Sequence, residues 1–216
     1  MTTQTTSSLP VKSRRAKADD VEVLEEDQRF VIYGVPWLAY VAMRDALEDQ
    51  PGLRMTYLEG TLELMSPSKK HEEFKKLIAR LVEAYAEEMD LNLNGYGNMN
   101  LRKKAKKRGL EPDECYSLGR AGKVPDIAIE VVLTSGVVNK MSVYEGLSVP
   151  EVWVWEAGAF SILRLTERGY EARPRSEVLP DLDLDFLASF VEEGANQTQR
   201  VKAFRRALRE RRPSRI

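Results

Sequence analysis

The sequence predicts a single α/β or α+β domain in which helices flank a mixed β-sheet. Three observations carry that reading. The 216 residues are 43% hydrophobic, enough for one substantial core. Apolar positions switch repeatedly between the helical period and the two-residue period of strands. The resulting order is helix, strand, helix, several strands, helix, strands, helix, with no internal repeat.

Residues 1–28 are polar and lack a core period, which predicts a mobile tail whose basic stretch "KSRRAK" is solvated. The folded domain is expected over 29–195, with a basic C-terminal helix and tail over 196–216. "PWLAYVAMRDALED" has helical spacing between Pro36 and the Pro51-Gly52 stop. In "MTYLEGTLELMSP", Leu58, Leu62 and Leu64 alternate with Glu59, Thr61 and Glu63, the pattern of a half-buried strand. Ser66-Pro67-Ser68 closes it and can cap the helix "KKHEEFKKLIARLVEAYAEEMD", whose apolar stripe runs through Phe74, Leu77, Ile78, Leu81, Val82 and Tyr85. "NLNGYGNMN" reads as a loop or weak strand, "DECYSL" as a short strand, "PDIAIEVVLTSG" as an apolar strand and "NKMSVYEGLSV" as a short helix. "PEVWVWEAGAFSILRLTERGYEARP" reads as three strands turning at Ala157-Gly158 and Arg168-Gly169. Trp153 and Trp155 in it read as packing rather than base-stacking platforms. The stretch from "DLDLDF" onward reads as helical.

Composition excludes several classes. The formal net charge is −1 although 31% of residues are charged, so bulk attraction to nucleic acid or acidic membrane is not expected, while a local basic groove remains open. One Cys, Cys115, excludes an internal disulfide framework and a multi-cysteine zinc site, and reads as a buried small hydrophobe. One His excludes a histidine-rich metal centre and an HExxH protease site. No apolar stretch is long enough for a bilayer and no signal-peptide pattern opens the chain, so a soluble cytoplasmic protein without membrane partners is expected.

The chemistry starts from Glu130, a carboxylate inside an apolar strand. Such a group needs a metal, a cation or hydrogen-bond donors to be buried. Asp126, Ala128, Glu130 and Val132 share one strand face, but four residues span about 13 Å, too far for Asp126 and Glu130 to share one metal ion. Asp126 is therefore expected to serve the turn before the strand. Asp113 lies beside Glu130 if the two flanking strands pair through "GRAGKV". Lys140, on the next helix, can reach back over the strand end, and Glu59 lies on the polar face of an earlier strand. Two or three carboxylates with one Lys suit Mg²⁺ or Mn²⁺, which take oxygen ligands and leave positions to water and substrate phosphate. That is phosphodiester-hydrolysis chemistry. His71 begins the apolar stripe of its helix and either supports such a site or is a structural, hydrogen-bonded His. The cluster of Arg102, Lys103, Lys104, Lys106, Lys107 and Arg108 precedes Asp113 and suits a phosphate backbone, with a solvated loop as the plain alternative. Arg205, Arg206, Arg209, Arg211 and Arg212 suit the same role or a subunit contact.

The ordered series "YLEGTLELMSP…H", "EPDECY", "PDIAIEVVLTSG" and "K…YEGLSVPEVWVWE", with the Tyr of "RGYEARP", resembles the Uma-type restriction endonucleases of the PD-(D/E)XK nuclease superfamily. The resemblance covers about residues 30 to 190. It implies a restriction-endonuclease-like core, a divalent metal, Mg²⁺ or Mn²⁺, DNA as partner, and endonuclease (hydrolase) activity on DNA. Dimerisation is common in the superfamily, so a homodimer is a further expectation. By position, Asp113 matches the metal-binding Asp of the "PD" motif, Glu130 the second acidic ligand and Lys140 the Lys of the pattern. His71 matches a His that follows the Ser-Pro of the family. One departure stands out: the superfamily's acid–any residue–Lys pattern is broken, because Val131 and Val132 follow Glu130. Lys140, ten residues on, takes the Lys position. That shift keeps open a nuclease-fold protein that binds nucleic acid or a partner protein without cutting; a second rival is a structural or interaction domain in which Glu130 pairs with an internal Arg or Lys.

Overall fold

The computed structural model describes residues 25–47, 50, 52–120 and 122–211. The N-terminal stretch to residue 24, with "KSRRAK", and the last five residues, with Arg212, lie outside them. The chain forms two sheets flanked by helices, a mixed α+β arrangement with one sheet more than expected. The first sheet is antiparallel, in the order β1 (Gln28–Ile32), β3 (Thr61–Ser66), β2 (Arg54–Leu58), β6 (Arg108–Leu110) and β5 (Leu101–Lys103). The second has the order β11 (Gly169–Arg173), β10 (Ala159–Thr166), β9 (Glu151–Glu156), β8 (Ile127–Val132), β7 (Glu114–Leu118) and β4 (Leu93–Gly95). In it β8 and β9 run parallel and the other neighbours antiparallel. The parallel pair requires a crossover, and α3 (Lys140–Leu147) supplies it.

Where one strand was expected over "YLEGTLEL", a hairpin stands. Glu59 and Gly60 adopt φ of 47° and 104°, the positive values that a two-residue hairpin turn demands. The turn pairs Leu58 with Thr61 and Tyr57 with Leu62. Leu58 therefore faces the same side as Thr61 and Glu63, opposite to Leu62 and Leu64. The packing agrees: Leu62 and Leu64 join the cluster under α1 (Trp37–Ala46), while Leu58 joins the one around α3. In a continuous strand those three leucines would share a face; the turn separates them.

α2 (Lys69–Met89) begins where the Ser68 hydroxyl accepts a hydrogen bond from the His71 amide. Its stripe of Leu77, Ile78, Leu81, Val82 and Tyr85 packs on Ile127, Ile129, Val131, Trp153 and Trp155, one face of the second sheet. α3 lies against the opposite face, with Val143, Tyr144 and Leu147 among Leu101, Leu110, Ala128 and Val152. β8 is thus covered on both sides, which is why its sequence is almost wholly apolar. Trp153, Trp155 and Cys115 are buried, and burial pushes the Cys115 thiol up to about 11.

The C-terminal stretch divides into α4 (Leu184–Ala188) and α5 (Gln197–Arg211) instead of one helix, with Gly194 at a φ of 67° between them. Arg205 and Arg209 pair with Glu87 and Glu88 on α2, and the Arg211 guanidinium lies 3.6 Å from the centre of the Phe186 ring. These arginines serve internal contacts. Among the described residues no helix is long and apolar enough to cross a membrane.

Candidate active site

β7 and β8 form the antiparallel hairpin that Asp113 needs. Glu114 pairs with Ile129, so one step further along the ladder brings Asp113 level with Glu130. An Asp113 carboxylate oxygen accepts a hydrogen bond from the Val131 amide at 2.8 Å, locking the two strands together at that point. Asp113 is 3% exposed and Glu130 1%. Glu130 shares the face of Ala128 and so points towards α3. There the Lys140 ammonium donates to one carboxylate oxygen at 2.6 Å and the Tyr144 hydroxyl donates to the other. Lys140 and Tyr144 are four residues apart and therefore stand on one helix face. A Lys at the first position of a helix opposes the helix dipole, so its placement there answers to Glu130 rather than to α3.

On the other side of Asp113 stands His71, 1% exposed. Its Nε2 lies 3.0 Å from Asp113 and its Nδ1 lies 3.2 Å from Asp27. Asp27 also accepts the Ser68 amide at 2.8 Å, where the N-terminus of α2 favours an anion. The first turn of α2, the start of β7, the end of β8 and the first turn of α3 thus converge on one point, and the residue preceding β1 closes it.

The electrostatics follow from this packing. Burial pushes the His71 imidazole down, but hydrogen bonds and charge from Asp113 and Asp27 outweigh it and lift its pKa to about 9. His71 is therefore an imidazolium near neutral pH. Burial raises Asp113, yet His71, the Lys140 charge and the Val131 amide more than offset this and hold it below the ordinary carboxylate range. Glu130 differs: burial lifts it, Asp113 adds repulsion, and Lys140 and Tyr144 recover only part. Lys140 is raised, because Glu130 and Asp113 outweigh its own desolvation. Two carboxylates side by side with opposed shifts are a mark of functional sites.

Asp113, Glu130 and Lys140 are brought together, with His71 beside them. Glu59 is not: it is a turn residue whose carboxylate is spent on Arg108 at 3.2 Å. The acid of that hairpin that points inward is Glu63, 2% exposed. Asp126 serves the β7–β8 turn, accepting the Leu118 amide at 2.9 Å. The basic cluster forms the β5–β6 hairpin. Arg102 pairs with Asp45, and Arg108 donates to Glu59 and to the Ser142 carbonyl at 2.6 Å, two residues along α3 from Lys140. Lys103, Lys104, Lys106 and Lys107 are exposed at its tip. Two contributors were not anticipated. Tyr144 was legible in principle from its spacing to Lys140. No apolar period surrounds Asp27, so its sequence looks like tail, yet it is 9% exposed and bonded to His71.

Among the described residues no three His, Cys, Asp or Glu side chains gather into a complete metal cage. The donor set nonetheless fits a hard divalent cation of the Mg²⁺ type, which is commonly held by one or two carboxylates together with water and substrate phosphate. Asp113 and Glu130 are such a pair. Around them stand three carboxylates, Asp27, Asp113 and Glu130, and three cations, His71, Lys140 and Arg29, the last 3.8 Å from Asp27.

A crystal structure described as "a putative nuclease belonging to DUF820", from Anabaena variabilis ATCC 29413, matches over 69% of this chain and 90% of that one, at 13% identity and a TM-score of 0.38. No curated protein matches. The family model described as "Uma2: Putative restriction endonuclease" matches residues 39–192, most of the chain and every motif quoted above that lies within it. The chain belongs to the Uma2 family.

Proposed function

We propose that the chain is a divalent-metal-dependent nuclease that hydrolyses phosphodiester bonds of DNA. The observation that carries this reading is the buried Asp113–Glu130 pair at matching ladder positions, with Lys140 on Glu130. Asp113 and Glu130 would hold Mg²⁺ or Mn²⁺, which when bound supplies Lewis acidity at the scissile phosphate and a more acidic water. His71, clamped between Asp27 and Asp113, keeps the Asp113 carboxylate ionised and oriented. Tyr144 fixes the rotamer of Glu130 from below. Lys140 is 22% exposed, so its ammonium can face a phosphate or water arriving from solvent while still touching Glu130. Lys103, Lys104, Lys106 and Lys107 offer phosphate contacts on the hairpin anchored to α3, and these position a duplex without reading its sequence.

The test is cleavage of supercoiled plasmid and single-stranded DNA with Mg²⁺, Mn²⁺ or EDTA. Metal-dependent nicking that disappears in Asp113→Ala is expected, by at least about a hundredfold. Equal behaviour of wild type and Asp113→Ala under every condition sinks the catalytic reading. Calorimetric metal binding without any cleavage would leave a nucleic-acid or partner-binding protein on a nuclease scaffold.

A further inference from the structure

Lys140 sits at the end of an exposed loop, 134–137, that leaves β8. Something must hold that loop if the ammonium is to meet Glu130, and the contacts converge on one side chain. Glu63 of β3 is 2% exposed, and one of its oxygens accepts the Val137 amide at 2.7 Å and the Val138 amide at 3.3 Å. Successive amides wrapped around an anion form a nest, here filled by the protein's own carboxylate. The other oxygen receives the Arg29 guanidinium at 2.7 Å, and Arg29 in turn donates to the Thr134 carbonyl at 3.1 Å and to its hydroxyl at 3.4 Å. Gly136 lies flat against the same carboxylate: a Cβ there would stand 2.6 Å from one Glu63 oxygen and 2.8 Å from the other. Glu63 and Arg29 therefore grip residues 134, 137 and 138 while Gly136 leaves room for the grip. Arg29 lies before the segment that the family model matches.

We propose that Glu63, braced by Arg29, is a positioning residue that sets Lys140 against Glu130 by clamping the 134–138 loop. The placement of Lys140 is a claim about geometry; its bearing on catalysis rests on the nuclease reading above. The sequence left Glu63 among the surface acids of its strand; Arg29 and the 134–138 loop are what cover it.

The test reads Lys140 directly. Wild type, Glu63→Gln and Gly136→Ala are pulse-labelled with an amine acylating reagent, and Lys140 is compared with exposed Lys103 by mass spectrometry, alongside amide exchange at Val137 and Val138. Losing a charge-assisted clamp predicts at least about a tenfold rise in Lys140 labelling and in exchange, with Lys103 unchanged. Gly136→Ala removes no polar group, so it decides the matter if Glu63→Gln fails to fold by circular dichroism. Where wild type cleaves DNA, both variants are expected to lose kcat with KM retained. If wild type cleaves nothing while the variants release Lys140, the nuclease reading falls and the clamp stands. If Lys140 and both amides stay as protected as in wild type, the clamp is wrong, whatever the cleavage result.

Discussion

Glu151 at the start of β9 and Glu130 near the end of the adjacent parallel strand β8 are both buried, at 0% and 1% exposure. They are satisfied in different ways. Glu151 accepts from the Trp153 indole at 2.6 Å, the Ser176 hydroxyl at 2.5 Å and the Glu177 amide at 2.9 Å, with Arg164 at 3.9 Å on the rim. Those donors are mostly neutral and nearby, and they pin the segment after β11 onto the sheet. Glu130 takes a lysine and a tyrosine from α3 and has a second carboxylate, Asp113, placed beside it. Repulsion between neighbouring acids opposes folding, and nothing in the packing of β8 requires it. A buried carboxylate is thus a weak sign of a site; a buried carboxylate with a like charge set next to it and a cation over it is a stronger one.

The difference can be broken most forcefully at Lys140. Lys140→Ala leaves Glu130 buried without its cation and is expected to cost about 3 to 5 kcal/mol in urea unfolding, whereas Arg164→Ala, on a rim pair, should cost at most about 1 kcal/mol. Adding Glu130→Gln to Lys140→Ala should recover most of the loss. Equal costs for the two single variants would erase the distinction.

Next in size is a pH effect confined to the Asp113 side. The folded pKa of His71, about 9, lies above its unfolded value of 6.5. Its contribution is then present in full below pH 6.5 and is lost as pH rises through about 9, a change of up to about 3 kcal/mol. His71→Gln should flatten that part of the stability profile, and a wild-type profile already flat from pH 6.5 to 9.5 would remove the imidazolium from the account.

Metal linkage sharpens the comparison further. Mg²⁺ at a hundredfold excess over its Kd should stabilise wild type by about 2.7 kcal/mol, seen as a rise in Tm, and should not stabilise the Asp113→Asn, Glu130→Gln double variant. A shift that survives in the double variant would place the ion elsewhere. The smallest effect belongs to Glu151: Ser176→Ala removes one of several donors and should cost about 1 kcal/mol, leaving the Mg²⁺ shift intact.

Much of the architecture was legible from residue patterns. The stripe of α2, the Ser68 cap, the apolar run of β8 and the three strands from Glu151 to Arg173 all carry periods that local geometry enforces. The hairpin at Glu59-Gly60 was not, because a two-residue turn leaves apolar residues at the same sequence spacing while moving Leu58 to the other face. The break between α4 and α5 was also hidden inside a run of helix-compatible residues.

The same division holds at the site. By itself the sequence determined that Glu130 lies in an apolar strand, that Asp126 cannot share its ligand, and that Asp113, Lys140 and Glu59 are the neighbours to seek. Strand period and chain reach are local properties, and they suffice for that. Only the tertiary structure decided that Asp27 accepts the Ser68 amide and holds His71, that Tyr144 supports Glu130, and that Glu63 instead of Glu59 enters the interior. Each of these depends on pairing between segments dozens of residues apart or on a turn that reverses a face. A polar residue carries no periodic signal of its own, so its burial is legible only once the partners that satisfy it have been brought into place.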